Sequence, residues 1–442
     1  MSGAARLGLV AAVLIAGLGA ATVSAPEPTG AHVPQPVPVT SASAVCPGVP
    51  ADSTLATGGA GSATVTGGLL GEPAVPLVLG AVDLPEPGDV PYVVSAQGAG
   101  AAGLVVTQAT RTTTGTARGL AVLACPAPGT SSWFVGGATT VGAMTELLLV
   151  NVEDAPALVD VRVWTVGGPA DPRPGRGLVV PPNSRLVVPL DRLAPDRDGL
   201  ALHVATTRGR TAASVRTSRR DGRTPLGTDW LPPTAPPARE AVVPGLPAGP
   251  GSRSVLIANP GEVGAAVQVE LTTDDGQLAV LPVEVPAGAS VAVDVSEQLR
   301  GTPAAARIVS DGPAVLAGAV VVDEQRAPVR ERSYAAAVPA LDAATLLLPA
   351  GVPGVQLLLS ALVTDAVVEV AGERVEVPGA TTVAVPVEAA TAEVRVLSGE
   401  VHAGWWARER GRAGLFTGGL PLRAPTRTAL RPVVVADPGA GR

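Results

Sequence analysis

The chain reads as an all-β protein, a series of tandem Ig-like β-sandwich modules behind an N-terminal hydrophobic segment and a Pro-rich stalk. Three observations carry that reading: a pattern that recurs at a period of roughly 100 residues, valine-rich alternation, and turn residues gathered between apolar runs. Each copy of the pattern opens on an apolar run that ends in a turn. The runs are Leu147, Leu148, Leu149 and Val150 before Asn151; Leu256, Ile257 and Ala258 before Asn259 and Pro260; and Leu357, Leu358 and Leu359 before Ser360. Alternating strands follow at Val159, Val161 and Val163, at Val267, Val269 and Leu271, and at Val368 and Val370. A Val-Pro turn comes next (Val180 and Pro181, Val285 and Pro286, Val377 and Pro378). A small pair comes last: Ala213 and Ser214, Ala317 and Gly318, Ala403 and Gly404.

Composition agrees. Apolar residues make up 46% of the 442 residues but aromatics only 2%, so the cores must be built from Val, Leu and Ala. Valine is stiff at its first side-chain torsion and packs well on a pleated surface. The 53 glycines and 45 prolines fall between the apolar runs, which suits many turns. A formal net charge of -7 argues against a dedicated nucleic-acid binder, whose footprint would be basic.

Taken in order, residues 1–25 hold Arg6 as the one charge before an uncharged stretch at 7–25. That stretch is long enough to cross a bilayer, which needs about 20 residues, and Arg6 orients its N-terminal end inward. An uncleaved single-pass anchor is one reading and a cleaved signal peptide the other; both place the rest of the chain outside the cytoplasm. Residues 26–45 form a Pro-rich stalk, and 46–128 a β module bracketed by Cys46 and Cys125. In an oxidising compartment an isolated pair is most simply a disulfide, with two buried free thiols as the rival reading. The repeats occupy 129–230, 241–340 and 341–420, with a Pro-rich linker at 231–240 and an irregular tail at 421–442. The last repeat is short, with 18 residues from Ser360 to Pro378 against 27 from Asn259 to Pro286, which predicts a lost hairpin or edge strand. Helical periodicity is missing apart from one turn at 296–300.

Several short stretches together resemble a known family. They are Cys46, Pro47 and Gly48; Arg118, Gly119, Leu120 and Ala121 before Cys125; Trp133, Phe134, Val135, Gly136 and Gly137; the Asn259–Pro260 turn; and the run from Ser310 through Gly312 and Pro313 to Ala317. The chain resembles exported, envelope-associated actinobacterial proteins grouped as family of unknown function number 5719. The resemblance implies export and β-sandwich modules. It brings no activity and no binding residues. Asn151–Val152 departs from the pattern, where a proline is expected after the asparagine.

The inventory of chemistry is sparse. His32 lies in the stalk, while His203 and His402 occupy corresponding late strands of the first and third repeats. No tight His/Cys/carboxylate cluster suggests a metal, no Gly-x-Ser-x-Gly elbow suggests an acyl-transfer nucleophile, and no cofactor motif occurs. Asp274, Asp275 and Gly276 read as a hairpin turn. Two features stand out as candidate binding groups. One is an arginine cluster, Arg208, Arg210, Arg216, Arg219, Arg220 and Arg223, able to grip phosphates or carboxylates or else to shield a strand edge. The other is Trp405 and Trp406, of which one faces the core and the other faces outward to a sugar, a partner or a neighbouring module. The expectation is a non-catalytic, exported cell-envelope protein displaying β-sandwich repeats to an envelope polymer or envelope protein. A structural spacer or scaffold and an exported hydrolase are the alternatives.

Overall fold

A computed structural model describes residues 35–431, apart from 83, 85–87, 116, 327–328, 353 and 412–413. The uncharged stretch at 7–25, His32 and the first part of the Pro-rich segment lie outside the described residues. Among the described residues no helix is long and apolar enough to cross a membrane.

The chain divides into two compact units. The smaller holds an antiparallel ribbon in which Gln35–Pro38 pairs with Thr428–Arg431. Part of the expected stalk and part of the expected irregular tail are therefore strands. The prolines fit because Pro36 and Pro38 sit two apart, and in an antiparallel pair alternate residues make no ladder bond to that partner. The larger unit, residues 40–426, begins its first strand at Ser41, so 41–45 belong to a sandwich rather than to a stalk.

That larger unit is built from four two-layer antiparallel sandwiches, at residues 41–124, 131–231, 240–336 and 343–421. With strand positions counted along each module, all four have one topology: a sheet in the order 1-6-3-4 faces a sheet in the order 5-2-7-8. In the second module the fourth position is split into Gly168–Pro169 and Leu178–Val180. The cysteine-bracketed module is thus a fourth copy of the repeat. Its second strand, Ser53–Gly58, lacks the apolar run that marks the other three. The fourth module keeps all eight strands, contrary to the expected loss. It is short because its 3–4 hairpin is trimmed to Ala366–Val370 and Glu373–Val377, where the third module has Ala265–Thr273 and Gly276–Val285. The expected helical turn is present as Ser296–Leu299, closed by Arg300 at φ 49°.

Local chemistry explains the repeated motif. Asn151 and Asn259 are fully buried at the end of the second strand. Asn151 donates to the carbonyls of Ala155 (2.8 Å) and Val180 (3.2 Å) and accepts from the Glu153 amide. Asn259 does the same with Val263, Val285 and Gly261. The side chain itself holds the crossover, so the missing proline after Asn151 changes nothing. The apolar run before it has no polar alternation because both faces of that strand are covered. Leu147 and Leu149 enter their own core, whereas Leu148 enters the core of the first module. Val255 and Ile257 likewise point inward while Leu256 packs on Val135, Trp164 and Ala201 of the second module.

The modules close into a ring of contacts. The first strand of the second module (Ser131–Val135) packs on the second and seventh strands of the third. The same relation joins the third module to the fourth and the fourth to the first, and Val45 joins the first to Val150 and Ala212 of the second. The small pair is needed at this crossing: a side chain at Gly318 would sit 3.1 Å from the Val135 carbonyl, and one at Gly404 3.4 Å from the Gly245 backbone. The eighth strands, Gly119–Ala124, Thr224–Leu231, Val329–Ala336 and Gly414–Pro421, meet in a closed cycle.

Each core is completed by the next module. Trp230 enters the core of the first, Tyr334 that of the second, Trp406 that of the third, and Ala109, Leu120 and Val122 of the first enter that of the fourth. Truncating Trp230 to alanine should therefore destabilise the first and second modules together, by about 3–5 kcal/mol. Denaturant unfolding followed by fluorescence and circular dichroism checks this; an uncoupled loss confined to the second module would contradict the shared core. Cys46 and Cys125 are bonded at 2.03 Å and join the first strand to the end of the eighth. The 79-residue separation gives an expected loss of about 4–5 kcal/mol in the double Cys→Ala variant by the chain-entropy estimate.

Candidate functional site

The seventh strand of the second module, Ala212–Asp221, carries Arg216, Arg219 and Arg220 of the arginine cluster to one place. Its pairing with Thr224–Leu231 shifts between Ser218 and Arg220, a bulge that re-aims side chains beside it. There the three guanidinium residues line a cleft of about 430 Å³ with Ser218, Thr228, Met144 and Ala117 of the first module. None of the lining residues is acidic. Arg216 donates from Nη2 to Glu146 at 2.8 Å, and Arg219 lies 3.7 Å from Asp198. Arg220 has no ion-pair partner among the described residues. Two polar atoms at the cleft are buried with no hydrogen-bond partner: Arg216 Nε and Thr228 Oγ1. Arg208, Arg210 and Arg223 do not line it; Arg210 pairs with Glu153 at 2.7 Å, and Arg208 and Arg223 are exposed.

Trp405 and Trp406 do not form a binding surface. They are 2% and 5% exposed, with Trp405 in the core of the fourth module and Trp406 in that of the third. Alternate residues of a strand face opposite sides, and here a neighbouring module covers the outward side. His402 is buried, with Nδ1 3.0 Å from the Val338 carbonyl, and burial lowers its pKa. His203 stacks on Trp133 at 3.8 Å between ring centroids, and Trp133 stacks in turn on Trp164. Burial, then the charge of Arg162, lowers the His203 pKa. Among the described residues no group of three or more His, Cys, Asp or Glu could hold a metal ion.

Sequence reading missed the buried charges where the eighth strands meet. An edge strand leaves alternate amides unpaired. The Leu120 amide donates to Glu331 Oε1 at 3.3 Å and the Val122 amide to Asp229 Oδ1 at 3.1 Å. Glu331 also accepts from Arg118 at 3.0 Å, and Arg118 reaches the Leu415 carbonyl and lies over the Phe416 ring. The Glu331–Arg118 pair thus links the third module to the first, and Arg118 links both to the fourth. Asp323 is shared by Arg253 of its own module (2.7 Å) and Arg408 of the fourth (2.6 Å). The one local signal was Asp229 between Thr228 and Trp230; Glu331 lies between two arginines and reads as an ordinary exposed charge.

Comparison with known families places residues 84–396 in one described as a family of unknown function (DUF5719), and the chain belongs to that family. No curated protein and no solved structure matches it.

Burial raises the Glu331 pKa from 4.5 to about 8 against the opposing pull of Arg118, and burial raises that of Asp229 well above the usual carboxylate range. A raised native pKa means the folded protein keeps a proton that the unfolded chain releases. The resulting stability is fully present below about pH 4.5 and is lost as pH rises through about 8. Replacing Glu331 with Gln keeps the acceptor for Leu120 and removes this titration. The stability of Glu331→Gln relative to the parent chain should therefore rise between pH 5 and pH 8.5. Denaturant midpoints measured across that range check it, and a difference that stays constant would contradict it.

Proposed function

We propose that this chain is an exported, non-catalytic cell-envelope protein whose ring of sandwiches presents an arginine-lined surface to an anionic envelope polymer or protein. The observation that carries the reading is the gathering of Arg216, Arg219 and Arg220 around one cleft with no acidic residue in its lining. Guanidinium groups recognise phosphate and carboxylate by paired, charge-assisted hydrogen bonds. Export is supported by the uncharged stretch behind Arg6, which suits a membrane anchor or a signal peptide. It is also supported by the Cys46–Cys125 bond, of a kind that persists in oxidising compartments. The two described histidines favour binding over catalysis, since one is enclosed against a backbone carbonyl and the other against an indole ring.

A second reading, a rigid spacer or scaffold, is favoured by the shared cores, which hold four modules in one compact unit. The two readings part on whether a saturable ligand exists. Residues 40–442 should co-sediment saturably with insoluble envelope material from a related organism. Changing Arg216, Arg219 and Arg220 together to alanine should reduce that binding at least tenfold, with far-UV circular dichroism unchanged. Sedimentation that neither saturates nor responds to the substitutions would favour the spacer.

A further inference from the structure

The four junctions of the ring are built alike, and one of them breaks the pattern. At each junction a cross-strand pair from the seventh and eighth strands supplies the side chains that enter the preceding module. The pairs are Ala109 with Val122, Val320 with Tyr334, Trp406 with Gly419, and Arg216 with Trp230. In the first three neither member is charged, and members of each join the preceding module's core. Only the fourth places a charge there. The next pair along differs too. The other junctions put an arginine at that level, in Arg111 with Leu120, Val322 with Arg332, and Arg408 with Thr417. The second module has Ser218 with Thr228. Two small residues where the others hold a guanidinium open the cleft, and the guanidinium displaced to Arg216 lines it.

The exchange lowers stability locally and leaves unused hydrogen-bonding groups. Arg216 Nε and Thr228 Oγ1 are buried without partners, and Thr228 is 8% exposed. A buried polar group without a partner is costly, so such groups point to a ligand that completes them. Beside the polar group of Arg216, Ser218, Arg219, Arg220 and Thr228, the lining is Ala117, Gly142, Ala143 and Met144, all apolar or bare backbone. Met144 is 47% exposed, and the fully exposed Val141 stands just before Gly142. That apolar side offers a sugar hydroxyl no side-chain partner, whereas an alkyl chain can pack on it.

We propose that this cleft binds an anionic amphiphile, a phosphate-bearing group joined to an apolar chain. The phosphate oxygens accept from Arg216 Nε, Arg220 and the Thr228 hydroxyl, and the chain lies along Ala143 and Met144. The inference deepens the arginine-surface reading and rests on it for the place of binding.

Monomeric dihexanoyl phosphatidic acid is the probe, titrated calorimetrically into residues 40–442, with dihexanoyl phosphatidylcholine and inorganic phosphate as controls. Saturable binding of the phosphatidic acid, at least tenfold tighter than either control, is expected. Thr228→Val removes a hydroxyl that has no partner in the free protein, so its melting temperature should hold or rise while affinity falls roughly tenfold. Arg216→Leu with Glu146→Gln restores an apolar pair and should likewise keep the fold and lose the ligand. Met144→Ser should weaken the phosphatidic acid and leave inorganic phosphate unaffected. Equal affinity for inorganic phosphate would overturn the amphiphile, and unchanged affinity in Thr228→Val would overturn the assigned hydroxyl. Absent binding of every probe, with envelope co-sedimentation retained, would overturn this inference and leave the broader reading standing.

Discussion

None of the four sandwiches encloses its core alone, and the rest of the architecture follows from how the deficit is met. The indole of Trp230 fills the first module, the phenol ring of Tyr334 the second, Trp406 the third, and Leu120 with Val122 the fourth. Burying a large side chain contributes a few kcal/mol, and removing one leaves a cavity that adds to the loss. With only nine aromatic side chains, 2% of the chain, the protein places several of its few tryptophans at module boundaries. The cycle closes from the fourth module back to the first, so each boundary depends on the others.

That closure also disposes of the sheet edges. Every 5-2-7-8 sheet ends in its eighth strand, and an uncovered edge invites pairing with another chain. Here the four eighth strands cover one another. Crossing strands cannot satisfy one another's amides by a ladder, so carboxylates do it instead: Glu331 for Leu120 and Asp229 for Val122. Removing a carboxylate from water is expensive and is offset only by close partners. Glu331 has Arg118, whereas Asp229 relies on the Val122 and Trp230 amides. The raised pKa of each records that incomplete compensation.

Much of the fold was legible in the sequence because strand patterning is local. Alternation at Val159, Val161 and Val163 and the turn at Asn259 follow from neighbours a few residues away. The first module escaped recognition as a repeat because its second strand reads Ser53 to Gly58, with Ala56 where the others carry an outward leucine. The arginines of the cleft were legible as a cluster on one strand. Thr228, Met144 and Ala117 were not, because they are brought to it by the two strands that flank the arginine strand and by another module. The fate of Trp406 was equally hidden, since the module that covers it lies far away in the chain.

Four sandwiches of one topology in a single chain raise the problem of wrong partners, because any plug could in principle be offered to any core. The four plugs differ in shape in a way that opposes this. A small pair, Ala109 with Val122, serves the fourth module; a bulky residue on the eighth strand, Tyr334 or Trp230, serves the second and first; a bulky residue on the seventh, Trp406 over Gly419, serves the third. Trp406 offered to the core that receives Ala109 would overpack it, and Ala109 offered to the core that receives Trp406 would leave a void. Both errors cost a few kcal/mol. Large and small residues traded across one strand pair therefore separate three kinds of junction while the topology stays common, and the charge of Arg216, where the matching pair has Val320, sets apart the two that share a bulky eighth-strand residue.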